Sequence, residues 1–119
     1  MGQGRGGGGF PGTKGGSIIF TAGTKSEALT SVQTQPKSIQ LPLIRFFKGS
    51  SRADTDYSLI RMAHGGVLAS YTKHGKVPGS KAVYFKEVNE TGETGRVWKV
   101  TYSPDGAVVH TKVKKEGNA

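Results

Sequence analysis

Apolar and polar positions alternate most regularly in the last third of the chain. Residues 81–88 (KAVYFKEV), 96–102 (RVWKVTY) and 107–113 (AVVHTKV) are rich in β-branched and aromatic residues. That composition suits pleated, half-buried strands. Their connectors, NETGETG (89–95) and SPDG (103–106), are short and carry turn residues. The three runs therefore predict a consecutive antiparallel meander. A further run, VLASYT (67–72), precedes them across a loop punctuated by His74-Gly75 and Pro78-Gly79.

The first half is less regular. SIIF (17–20) is a short apolar run and reads as an edge strand. TKSEALTSV (24–32) offers Thr24 or Ser26 as a helix cap. IQLPLIRFF (39–47) is strongly apolar, but Pro42 argues for an edge strand or an irregular packed segment. GSSRADTDYSLIRMAHGG (49–66) reads as a helix. Ser51 would cap it, Asp54 and Asp56 would suit its positive end, and Gly65-Gly66 would stop it. In such a helix Leu59, Ile60 and Ala63 form the apolar stripe, and Arg61 and His64 share one face. The fold class expected is α+β: an N-terminal helix or helices packed on a C-terminal antiparallel β-meander of about four strands. Residues 17–119 form one domain, and the glycine-dominated residues 1–16 form a flexible linker.

Charge narrows the choice of partner. The chain carries 17 Lys+Arg against 8 Asp+Glu, a formal charge of +9. A basic surface spread through β-rich sequence favours a polyanion, nucleic acid before a membrane. No apolar run approaches membrane-spanning length. There is no cysteine, which excludes disulfides, thiolate metal sites and cysteine nucleophiles. The acidic residues fall mostly in turns, and the histidines lack metal-ligand spacing, so no metal or other cofactor is expected.

The final hairpin focuses the chemistry. A turn at Ser103–Gly106 pairs Lys99 with His110, Val100 with Val109 and Trp98 with Thr111. One face then carries Trp98, Val100, Tyr102, Val109 and Val113 as core. The other carries Lys99, Thr101, His110 and Lys112. A lysine beside a histidine favours the neutral imidazole, which makes a base available near neutral pH. Cleavage of RNA by its own 2′-hydroxyl needs a base, an acid and a cation at the phosphate, and no metal. Histidine, lysine and arginine suffice. The candidate catalytic residues are His110, His64, His74, Arg61 and Lys99. Lys73, Lys76, Lys81 and Lys112 are candidates for holding the RNA backbone, and Tyr71 for stacking on a base.

Residues 74–113, HGKVPGSKAVYFKEVNETGETGRVWKVTYSPDGAVVHTKV, resemble the C-terminal toxin modules of bacterial polymorphic toxins, the contact-dependent inhibition and Rhs-type systems. The likeness lies in the basic VPGS entry, the glycine-containing turn, the KVTYSPDG hairpin and the closing VVH. It implies a metal-independent ribonuclease of the barnase–EndoU–colicin–RelE type, with transfer RNA a common target. It further implies a last-strand role for His110, a small acidic immunity protein as partner, and delivery within a larger bacterial protein to a target cell's cytoplasm. Two other readings fit the same charge pattern. One is a non-catalytic nucleic-acid-binding module, the other a structural or interaction subunit.

Overall fold

The computed structural model describes residues 16–115. Their order is β1 (Ser17–Gly23), α1 (Lys25–Val32), α2 (Lys37–Lys48), β2 (Thr55–Arg61), β3 (Val67–His74), β4 (Lys81–Val88), β5 (Thr94–Tyr102) and β6 (Val108–Lys115). The strands form one antiparallel sheet in the order β1-β2-β3-β4-β5-β6. The domain is thus α+β with a β-meander. It has six strands rather than four, and both helices sit between β1 and β2. The glycine-rich linker expected at 1–16 lies, except for Gly16, outside the described residues.

The capping box starts α1. Glu27 N–H donates to Thr24 Oγ1 at 3.1 Å, and Thr24 N–H donates to Glu27 Oε1 at 2.9 Å. Two orphan amides are satisfied by one pair of side chains. The apolar run at 39–47 is helical, not an edge strand. Ile39, Leu43 and Phe47 recur every four residues and are all buried against the sheet. That stripe outweighs Pro42, which sits inside α2; packing energy overrides a local propensity penalty of about 3 kcal/mol.

Residues 49–66 are not a helix. Ser51 and Asp54 close a turn on one another, and β2 follows. Tyr57, Ser58, Leu59 and Ile60 are buried one after another, because both faces of β2 are covered. Arg61 therefore ends a strand, His64 lies in the turn to β3, and the two do not share a helical face.

Two apolar layers follow from the alternation. On the helix side, Tyr57, Leu59, Val67, Ala69, Tyr71 and Val88 pack against Ala28, Val32, Ile39, Leu43 and Phe47. On the opposite side, Ile60, Met62, Leu68, Phe85 and Trp98 form a smaller cluster, with the Phe85 and Trp98 rings stacked at 4.9 Å. Of the core expected on the last hairpin, Trp98 is buried. Val109 and Val113 are 59% and 44% exposed, because β6 is an edge strand with nothing among the described residues packed over it.

Candidate functional site

Register decides which side chains meet. Directly opposed residues on antiparallel strands share a face, with Cβ atoms about 5 Å apart. Away from the helices this produces three rows. Ser58, Ser70, Phe85, Trp98 and Val113 form one. Thr55, Thr72, Val83, Val100 and Thr111 form the next. His74, Lys81, Tyr102 and Val108 form the last. Within two residues along β2 and β3, Ile60 and Leu68 give way to Ser58 and Ser70. The apolar layer ends there and a polar one begins.

That polar half is concave. Thr21, Ala22, Asp56, Ser58, Ser70, Thr72, Lys81, Val83, Tyr102 and Gly106 line one cavity of about 480 Å³. Thr21 and Ala22 belong to β1, and Gly106 to the β5–β6 turn. In a flat six-stranded sheet these edges would stand about 24 Å apart, at roughly 4.8 Å per strand. Their meeting around one cavity shows that the sheet curls. Two irregularities contribute. Ala22 and Asp56 adopt left-handed backbone angles, φ 56° and 55°, where the ladders of β1 and β2 shift register. Non-glycine residues in this region carry strain, and bulged strands bend.

The floor of the cavity is made of hydroxyls. Ser58, Ser70 and Thr72 are each at least nine-tenths buried. Ser58 Oγ lies 3.3 Å from Thr21 Oγ1 and accepts the Ala22 N–H at 3.2 Å. The side chains of Ser70 and Thr72 have no hydrogen-bond partner among the described residues. Buried hydroxyls without partners are rare, and those facing a cavity mark where a polar ligand would bond.

Lys81 and Tyr102 line the cavity, and His74 is the strand neighbour of Lys81 rather than part of the lining. Lys81 Nζ lies over the Tyr102 ring, 5.7 Å from its centroid, which holds the ammonium beside the cavity. Opposite Lys81, His74 Nε2 lies 2.7 Å from Thr55 Oγ1. The Thr55 hydroxyl donates to Asp56 Oδ2 at 3.3 Å. A hydroxyl has one proton, so in this pattern Nε2 is the donor to Thr55.

The other sequence candidates lie elsewhere. The turn after β5 closes from Ser103 to Ala107, with Gly106 left-handed and Asp105 accepting the Ala107 N–H at 3.1 Å. Its exposed carboxyl is held below the usual aspartate range, chiefly by hydrogen bonds from the Ser103 hydroxyl and the Ala107 amide. This longer turn pairs Thr101 with His110 and Lys99 with Lys112, a two-residue slip from the expected register. A slip of two keeps the face. His110 and Lys99 do share a surface, but it is the helix side, across the sheet from His74 and Lys81. Lys99 is thereby removed from the cavity's chemistry.

Arg61 points to the helices and donates to Gln35 Oε1. Lys73 pairs with Asp54 at 3.2 Å. Lys76 is exposed in the β3–β4 loop. Tyr71 is buried, its ring stacked between Tyr57 at 5.5 Å and Tyr84 at 5.3 Å. Burial, with Asp54 and the two tyrosines adding to it, pushes its phenol up to about 12. That ring is core and cannot stack on a base.

Sequence reasoning missed Thr21, Ser58, Ser70, Thr72 and Tyr102. Serines and threonines scattered over three strands look like surface residues until the register brings them together. Among the described residues, no cluster of three or more histidines or carboxylates could hold a metal ion, and no helix is long and apolar enough to cross a membrane. No family model, no curated protein and no solved structure matches this chain.

Proposed function

We propose that the curled face is the active site of a metal-independent ribonuclease. The observation that carries this reading is that Lys81 and Tyr102 line a cavity whose buried Ser70 and Thr72 hydroxyls have no partner among the described residues, with His74 paired opposite Lys81 in the strand ladder. The cavity's volume lies in the range of small-ligand sites and suits a nucleotide. Ser70 and Thr72 hydrogen-bond the ribose and phosphate oxygens. His74 Nδ1 takes the proton from the 2′-hydroxyl, and the 2′-oxygen attacks phosphorus. The P–O5′ bond breaks, and the Tyr102 hydroxyl donates a proton to the departing 5′-oxygen. The Lys81 ammonium offsets the charge that grows on the phosphorane. The products are a 2′,3′-cyclic phosphate and a 5′-hydroxyl end.

The toxin-like look of residues 74–113 supports the same reading. It adds a biological setting: delivery within a larger bacterial protein, and restraint by a small acidic partner. The test is cleavage of transfer RNA and of unstructured RNA by the purified protein in EDTA, with end-group analysis of the fragments. His74→Ala should lower the rate on the order of 10²–10⁴-fold while circular dichroism stays unchanged, and His110→Ala should keep activity. RNA left intact, or activity lost with His110 and kept without His74, overturns the assignment. Salt-dependent binding without any product would indicate a binding module instead.

A further inference from the structure

We infer that the lysines on the helix-side face of β5 and β6 form a second RNA contact, which holds phosphate backbone outside the cleavage cavity. This rests on the ribonuclease reading only in naming RNA as the polyanion. The register sets Tyr71, Tyr84, Lys99 and Lys112 in one row across the sheet. Tyr71 covers one face of the Tyr84 ring in a near-parallel stack, 9° between planes. Two ammonium groups converge over Tyr84: Lys99 Nζ at 5.7 Å from the ring centroid and Lys114 Nζ at 5.2 Å. Lys112 stands opposite Lys99 and His110 opposite Thr101.

Among the described residues no carboxylate answers these charges. The ion pairs among the described residues are Lys73–Asp54 and Arg96–Glu87, and neither involves Lys99, Lys112 or Lys114. Ammonium groups gathered on one ring repel one another, and an anion lying across them relieves the repulsion. The surface is also continuous with the cavity. Tyr102 lines the cavity, and its neighbour Thr101 faces the other side beside His110. Only the edge strand β6, about 4.8 Å wide, separates the two faces there. An RNA chain leaving the cavity past Tyr102 crosses that strand and meets His110 and then the lysines. A backbone with a charge on every nucleotide fits such a run of unpaired cations.

The experiment compares wild type with Lys99→Gln/Lys112→Gln/Lys114→Gln. Substrates are a 30-nucleotide single-stranded RNA and a dinucleotide. Binding of an all-2′-deoxy 30-mer, which lacks the attacking hydroxyl, is followed by fluorescence anisotropy against KCl concentration. The triple variant should raise KM for the 30-mer on the order of tenfold and reduce the log–log salt slope by about two. Cleavage of the dinucleotide should stay within about twofold, since that substrate reaches only the cavity. An unchanged salt slope overturns the inference. So does equal competition by polyglutamate of matched charge, which would assign the surface to an acidic protein. If wild type cleaves neither RNA while the slope still falls, the surface stands and the ribonuclease reading fails.

Discussion

Asp54→Asn isolates one electrostatic contribution to the fold. The carboxylate is almost wholly buried. It accepts the Ser51 N–H at 2.9 Å, the Ser51 hydroxyl at 2.9 Å and Lys73 Nζ at 3.2 Å. Asparagine keeps one acceptor oxygen, so one Ser51 donor loses its partner. A hydrogen bond to a charged group contributes about 1.5–3 kcal/mol. The Lys73 side chain is 42% exposed and re-solvates, so the ion pair adds less than about 1 kcal/mol. The total is about 2–3 kcal/mol, or a fall in Tm on the order of 10–20 °C for a domain of this size. pH supplies the control. Burial alone would raise the Asp54 pKa, but the Ser51 amide, the Ser51 hydroxyl and Lys73 together hold it below its ordinary 3.8. The unfolded chain therefore takes up this proton first as pH falls. The carboxylate's stabilisation is complete above that ordinary value and is lost as pH drops through the lower, folded value. Urea unfolding followed by circular dichroism at pH 7 and about pH 2.5 should show wild type and variant converging in acid. A difference as large in acid as at neutral pH, or one under about 0.5 kcal/mol at pH 7, would refute the electrostatic account.

Two further substitutions test the packing. Gly92 has φ +95°, and a Cβ there would lie 2.2 Å from the Ser38 carbonyl oxygen. Gly92→Ala should destabilise by about 2–4 kcal/mol in urea unfolding, from left-handed strain and a forced shift of the Ser38 backbone. Pro42→Ala should stabilise by about 1–2 kcal/mol, read as a raised Tm. It restores an amide donor inside α2, and the Lys86 Nζ contact with the residue 42 carbonyl at 3.0 Å is to backbone and survives.

The meander from β3 to β6 was legible because its strands carry β-branched alternation and its turns carry glycine and proline. The residues of β4 match the expected run from Lys81 to Val88. The cap of α1 was legible as one of two residues, Thr24 or Ser26, and it is Thr24. The helix α2 and strand β2 were misread because tertiary burial overrode local signals. The four-residue spacing of Ile39, Leu43 and Phe47 is present, but Pro42 makes the segment read as an edge strand or an irregular stretch. In β2, burial on both faces erased the period of two that marks a half-exposed strand. The site was legible only in fragments. His74 and Lys81 were candidates, but the sequence suggested a strand ending at Thr72, which left His74 in a loop. The observed strand runs to His74, and those two extra residues place the imidazole opposite Lys81. The hydroxyl floor depends on bulges at Ala22 and Asp56 that no short motif announces.

Thr21 and Gly106, which face each other across the cavity, belong to opposite ends of the described chain. The two-helix layer and the middle strands can assemble from neighbouring segments, but the hollow appears only when the first strand has docked and the last turn has folded inward. Closing so long a loop makes this a late event. A chain caught part-way, or clipped near either end, would keep most of its apolar core and lack the cavity. Under the ribonuclease proposal, catalytic competence would then report completed folding rather than secondary structure content, and a nick near Thr21 should abolish cleavage while the helices still read as intact.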